Sequence, residues 1–148
     1  MSAISMGVVP LSLDNFNEAA ALVIDVFLSG GEAITRWQAE DILSDKNSST
    51  RVLTISGSTK GVYVFKQKPN SFNLVVFAIS PGFKKTKAAY ALYKDMLDKS
   101  SGKDVFFGVF SNNDHMLTFA KKRAEFISRS ATNDGNIIEH YKLRKEKL

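Results

Sequence analysis

Asn73 to Phe126 reads NLVVFAISPGFKKTKAAYALYKDMLDKSSGKDVFFGVFSNNDHMLTFAKKRAEF. Leu74–Ile79 (LVVFAI) is almost wholly apolar, as expected of a strand in the middle of a sheet with both faces covered. Pro81-Gly82 breaks it. Ala89, Leu92, Tyr93, Met96 and Leu97 then mark one face of a helix over residues 84–99, which Ser100-Ser101-Gly102 ends. Val105–Phe110 (VFFGVF) is a second buried strand. A helix joins the two strands, so they run parallel or the second splays from the first. Asn112-Asn113 opens another short helix, with Met116, Phe119 and Ala120 inward. A strand that feeds a helix N-terminus at an open crevice suits the phosphates of a nucleotide-like cofactor.

Working outward, Val8-Val9-Pro10 reads as a first strand. Ser12 and Asp14 suit the start of a helix whose inner face is Leu13, Phe16, Ala20, Val23 and Phe27, ended by Gly30-Gly31. Thr35 can cap a second, shorter helix with Trp37, Ile42 and Leu43 inside. Arg51–Ser56 and Val62–Phe65 flank turn residues Gly57–Gly61 as a hairpin. Phe126–Ala131 and Ile137–Leu143 flank Asn133-Asp134-Gly135 as a closing hairpin. The order is β-α-α-β-β-β-α-β-α-β-β, which predicts an α/β fold: a mixed sheet with helices on both faces.

The 148 residues, 44% of them apolar, suit a single domain spanning 1–148 with a substantial core. The absence of cysteine excludes disulfides and thiolate metal sites. The first twelve residues hold no Lys or Arg ahead of an apolar run, and no apolar run approaches the ~18 residues of a membrane span. The expectation is a soluble, cytoplasmic protein without a membrane partner. Residues 1–74 carry 6 basic and 7 acidic side chains, whereas residues 75–148 carry 14 and 8. The basic half suits an anionic ligand: a phosphorylated cofactor, an acidic protein or a nucleic acid. A Lys-rich solvated surface accounts for the same count.

The element order and the residues at two turns resemble the GNAT superfamily of N-acyltransferases over nearly the whole chain. The first turn is Lys84-Lys85-Thr86-Lys87-Ala88-Ala89, which stands where the family carries Gln/Arg-x-x-Gly-x-Gly/Ala. Lys84 falls on the Gln/Arg position and Ala89 on the last small position. Lys87 replaces the middle glycine. The second is Asn113-x-x-Met116-x-x-Phe119-Ala120, where the family reads Asn-x-x-Ala-x-x-Leu-Tyr. Ala120 replaces the tyrosine, and Arg123–Phe126 replaces the closing small residue and Phe.

The resemblance implies an acyl-CoA-dependent N-acyltransferase that uses acetyl-CoA to acylate an amine. It assigns Ile79, Lys84, Lys85, Thr86, Lys87, Ala88 and Ala89 to the cofactor, and it puts Asn113 beside the pantetheine arm. On the residues alone, Asn113 is a helix cap and the lysines a solvated helix start. The same departures leave open a GNAT-like protein without catalysis, of the kind phages encode among their internal virion proteins. Such a protein would offer its basic face to an acidic protein or a nucleic acid. For the latter, Lys84, Lys85, Lys87, Lys121, Lys122 and Arg123 with Phe83 and Tyr90 are the candidate cations and aromatics.

Neither LVVFAI nor VFFGVF contains a carboxylate, and the acids nearest a substrate opening are Asp25 and Glu32, so no general base is assigned. Ser111 has no Ser-His-acid pattern around it. His115 reads as a surface or capping residue and His140 as structural; their separation gives no metal-ligand spacing.

Overall fold

The computed structural model describes residues 5–29, 33–83, 86–111, 114–132 and 135–144. Its elements follow the expected order: β1 (Met6–Pro10), α1 (Phe16–Ser29), α2 (Arg36–Ser44), β2 (Ser49–Ile55), β3 (Ser58–Gln67), β4 (Ser71–Ile79), α3 (Lys87–Ser100), β5 (Asp104–Phe110), α4 (Asp114–Arg123), β6 (Ala124–Ala131) and β7 (Ile137–Leu143). The strands form one seven-stranded sheet, ordered β1-β2-β3-β4-β5-β7-β6, with β4 central. Every neighbouring pair is antiparallel except β4 and β5. No helix among the described residues is long and apolar enough to cross a membrane.

Helices cover both faces, and a core lies under each. On one face α3 and α4 pack through Ala88, Leu92, Met96, Leu117 and Ala120 against Leu53, Tyr63, Phe65, Phe72, Phe107 and Tyr141. On the other, α1 and α2 pack through Ala19, Ala20, Val23, Ala39 and Leu43 against Val52, Val62, Val64, Val76 and Ala78. The apolar-on-both-sides character of LVVFAI follows from this sandwich.

One irregularity re-phases β4. Val64 of β3 pairs with Val76, but the next residue, Phe65, pairs with Leu74, so Val75 is an extra residue. Before the bulge Phe72 and Leu74 face α3; after it Phe77 and Ile79 do, while Val76 and Ala78 turn to α1. A one-residue insertion exchanges the faces of a period-two strand and adds twist. The parallel pairing with β5 runs only from Ser71↔Asp104 to Leu74↔Phe107. It stops at the residue before the bulge. Beyond that point β4 stays with β3, and β5 stays with β7. The sheet therefore opens along the line between its two halves.

Local expectations differ in four places. Leu13 is 95% exposed, because residues before Phe16 form a turn in which the Asn15 amide donates to the Ser12 carbonyl, 3.3 Å. The Asn15 carboxamide accepts from the Ser12 amide, 2.8 Å, and ties this turn down. Trp37 is 72% exposed, and the inner residues of α2 are Ala39 and Leu43, four apart. The inner stripe of α3 is Ala88, Leu92, Met96 and Ser100, which keeps Leu92 and Met96 of the expected face but not Ala89, Tyr93 and Leu97, and the helix starts at Lys87 instead of residue 84. The closing hairpin begins earlier than expected, at Ala124. The cap of α2 is as expected: Thr35 Oγ1 accepts from the Gln38 amide, 3.1 Å, and Gln38 Oε1 from the Thr35 amide, 2.8 Å.

Candidate functional site

The opening between β4 and β5 is built by the bulge. Val75 has no partner in the register of β3 or of β5, and it is 42% exposed. As the extra residue of a bulge it stands outside the regular pairing of the ladder. Opposite stands Gly108, the first residue of β5 past its last partner on β4, also exposed.

At the carboxyl end of β4 the chain turns through Pro81–Phe83 into α3. The Phe83 amide donates to Ser80 O, 2.8 Å, and the Ser80 amide to Lys60 O, 2.8 Å, so this corner is anchored on β3. Thr86 is the N-cap of α3. Its hydroxyl donates to Phe83 O at 2.5 Å and accepts, at 3.5 Å, from the Ala89 amide. The Tyr90 amide takes Thr86 O, 3.1 Å. The amides of Lys87 and Ala88 precede the first full turn and point out of the helix end, where the helix dipole adds partial positive charge. The fold thus brings Ile79, Thr86, Lys87, Ala88 and Ala89 to one end of the β4–α3 unit. Lys87 and Thr86 are exposed, Ala88 is buried against the sheet, and Ile79 and Ala89 are half-buried. Lys84, Lys85, Asn113 and Glu32 lie outside the described residues, as does the side chain of His115.

Ala120 is fully buried in the α4 core. It therefore acts in packing at the position where the resemblance puts a tyrosine. Two aromatic pairs bridge the halves of the sheet. Phe27 of α1 meets Phe110 of β5 edge-on, centroids 6.1 Å apart, and Tyr93 of α3 meets Phe119 of α4 edge-on at 5.8 Å. Asp25 is exposed on α1, and Ser111 follows β5, its amide donating to Ile137 O, 2.8 Å.

The candidate basic face is divided. α3 and α4 both start at the carboxyl ends of β4 and β5 and run back along the sheet. Lys87 lies at that end, and Lys121, Lys122 and Arg123 lie in the last turn of α4, at the other. A ten-residue helix separates its ends by about 15 Å. At the far end Lys121, Arg129 and Arg144 line a depression of about 290 Å³ with Phe126, Glu139 and Tyr141.

One polar cluster escaped the sequence altogether. Asp95 of α3 receives Arg51 through Nε at 3.0 Å and a terminal guanidinium nitrogen at 3.1 Å, and Tyr63 Oη at 2.6 Å. Arg51 also donates to Val8 O, 3.2 Å. Burial alone would raise the Asp95 carboxyl; the hydrogen bonds from Arg51 and Tyr63 outweigh it and hold it below the ordinary carboxylate range. Burial, and then the Asp95 carboxylate, push the Tyr63 hydroxyl far above the ordinary tyrosine range. The cluster straps α3 to β2 and β3 and fixes the helix whose N-terminus faces the opening. Its members are 32 and 44 residues apart in sequence, so spacing gives no signal for it.

No protein-family model matches the chain, and no curated protein matches it. Among solved structures the fold is widely shared. A GNAT-family protein from Desulfovibrio desulfuricans superposes with a TM-score of 0.69 at 14% identity, over 94% of this chain and 98% of that one. Ard1 from Thermoplasma volcanium gives 0.76 at 18%, over 95% and 99%. NAA60 from Arabidopsis thaliana, solved in complex with a bisubstrate analogue, gives 0.74 at 11%, over 94% and 98%. The chain has the GNAT fold.

Proposed function

We propose that the protein is an acyl-CoA-dependent N-acyltransferase that transfers an acetyl group from acetyl-CoA to an amine in the cytoplasm. The observation that carries this reading is the coincidence of three features at one end of the sheet. The β4–β5 pairing stops at Leu74 and Phe107, Val75 bulges there outside the register, and the free amides of α3 open at the same end. One of the solved structures with this fold holds a bisubstrate analogue. In this reading the amides of Lys87 and Ala88, with Thr86, Lys84 and Lys85, bind the pyrophosphate, and Ile79 and Ala89 line its approach. Asn113 lies beside the pantetheine. The pantetheine chain would occupy the opening, where the Val75 amide would be placed to donate to the thioester oxygen. The exposed Lys87 side chain turns to solvent and adds positive charge beside the phosphates.

Calorimetry with CoA and acetyl-CoA tests this. Binding is expected, and Lys84→Glu combined with Lys85→Glu should weaken it by about tenfold, the value of one to two lost charge contacts. No heat and no thermal shift at millimolar cofactor would remove the reading.

A second reading has its own observation. Ala120 is buried at the position of the family's tyrosine, and Lys121, Arg129 and Arg144 line one depression at the far end. A GNAT-like protein without catalysis, of the phage-encoded kind, would use that end to hold an acidic protein or a nucleic acid.

A further inference from the structure

On the α1/α2 face the buried core is drawn from α1, α2, β2, β3 and β4 alone, so β5, β7 and β6 contribute no buried residue to it. His140 stands on this open half. Register sets Gly108 of β5 opposite His140 of β7, and His140 opposite Ser128 of β6. Residues directly paired across antiparallel strands share a face. Gly108 is also the β5 residue at the mouth of the cleft and puts no side chain of its own beside His140; the Ile138 methyl group shares the space over it with the His140 ring.

The ring orientation is specific. A methyl group on Gly108 would stand 3.6 Å from His140 Nδ1 and 3.7 Å from Cε1, so this edge of the imidazole lies over the glycine, on the cleft side. The opposite nitrogen, Nε2, is 2.8 Å from Ser130 Oγ on β6, on the side away from the cleft. When Nε2–H donates to Ser130, the lone pair is left on Nδ1, one strand spacing of about 4.8 Å from the opening.

We infer that His140 is the general base of the transfer, positioned by Ser130; the inference rests on the acyl-CoA reading above. An acceptor R–NH3⁺ gives one proton to Nδ1, directly or through one water. The free amine attacks the thioester carbonyl, the C–N bond forms and the C–S bond breaks. The second nitrogen proton ends on the departing sulfur as the CoA thiol, and the imidazolium returns its proton to solvent. The charged groups on this face are Lys142, whose Nζ lies 3.6 Å from Asp104 Oδ2, and Glu125, opposite Lys142. Phe27 of α1 reaches it against Phe110, and the neighbours Ser128, Ser130 and Ile138 do not titrate.

The test uses acetyl-CoA with a pooled set of amine probes (amino-acid amides, spermidine and short peptides with free N-termini), thiol release being followed from pH 5.5 to 9. His140→Gln should keep its calorimetric CoA affinity, lose about 100-fold in kcat/KM and lose the acid limb of the profile. Ser130→Ala should lower kcat and displace the acid limb with the ring still in place, and Ser130→Thr should restore both. If His140→Gln does not fold, Ser130→Ala decides, and an unmoved acid limb overturns the inference. A His140→Gln enzyme with wild-type rate and profile overturns the base and leaves acyl transfer standing. Wild type that does not bind CoA overturns acyl transfer and the base together. Wild type that binds CoA but acylates none of the probes overturns the base and leaves the cofactor site standing.

Discussion

A missing side chain at Gly61 lets α3 lie against the sheet. A Cβ there would stand 2.9 Å from Leu92 Cδ2 and 3.0 Å from Ile79 Cδ1. Both neighbours matter: Leu92 is fully buried in the α3 core, and Ile79 ends the strand that leads to the cofactor corner. Gly61→Ala is expected to cost about 1–3 kcal/mol, the usual penalty for one extra methyl in a packed core. Urea unfolding measures it, and an unchanged midpoint would show that Leu92 can move aside freely. Gly108 is its counterpart on β5, where Ile138 Cγ2 would be 2.9 Å from an added Cβ. An isolated glycine inside VFFGVF is a signal of close approach that a sequence can carry. What the sequence does not carry is the neighbour that approaches. The His140 ring lies over Gly108 only because β7 pairs with β5 and so joins two residues 32 positions apart in the sequence. For the same reason His140 reads as structural until the sheet order is known.

At the scale of the element, α3 is held in two ways: by its apolar stripe and by the Arg51–Asp95–Tyr63 strap. The strap makes the stability of the helix depend on pH in both directions. Asp95 has a folded value below its unfolded one of about 3.9. Its contribution is therefore complete above about pH 4 and is lost as pH falls through the folded value. Tyr63 is raised, so its contribution is complete below the unfolded value of about 10 and is lost as pH climbs beyond it. Asp95→Asn should lower the urea midpoint at pH 7, and the difference from wild type should shrink below pH 4. Tyr63→Phe should flatten the alkaline decline above pH 10. Parallel curves for variant and wild type across those limits would refute the strap. The element order was legible because apolar runs and turn residues alternate clearly along the chain. The bulge was not. In Leu74-Val75-Val76-Phe77 every residue is apolar, so a change of phase leaves no mark on the pattern. Trp37 misled for a related reason. Its size favours burial, but the nine-residue α2 presents only Ala39 and Leu43 as buried residues.

Across the whole molecule, charge is distributed by end as much as by half. The cofactor corner holds Lys87 and the far end holds Lys121, Arg129 and Arg144, which a count of basic residues along the sequence merges into one basic region. Retention of an acidic partner at the far end should fall when salt rises from 0.1 M to 0.5 M, because the Debye length shrinks below its value of about 10 Å at 0.1 M. Retention that is unchanged on an immobilised acidic polymer would exclude a contact driven by those cations. The site was legible in part for the same kind of reason. The turn at Thr86–Ala89 is local and can be read from neighbours in sequence, whereas the opening beside it depends on where two distant strands stop touching. That stopping point also has a mechanical meaning. Among the described residues, four pairs, Ser71–Leu74 against Asp104–Phe107, carry the strand pairing between a four-stranded leaf and a three-stranded leaf. Force applied across the two leaves would load this seam first, and a molecule lodged in the gap would brace both sides like a wedge driven into a book beside its spine.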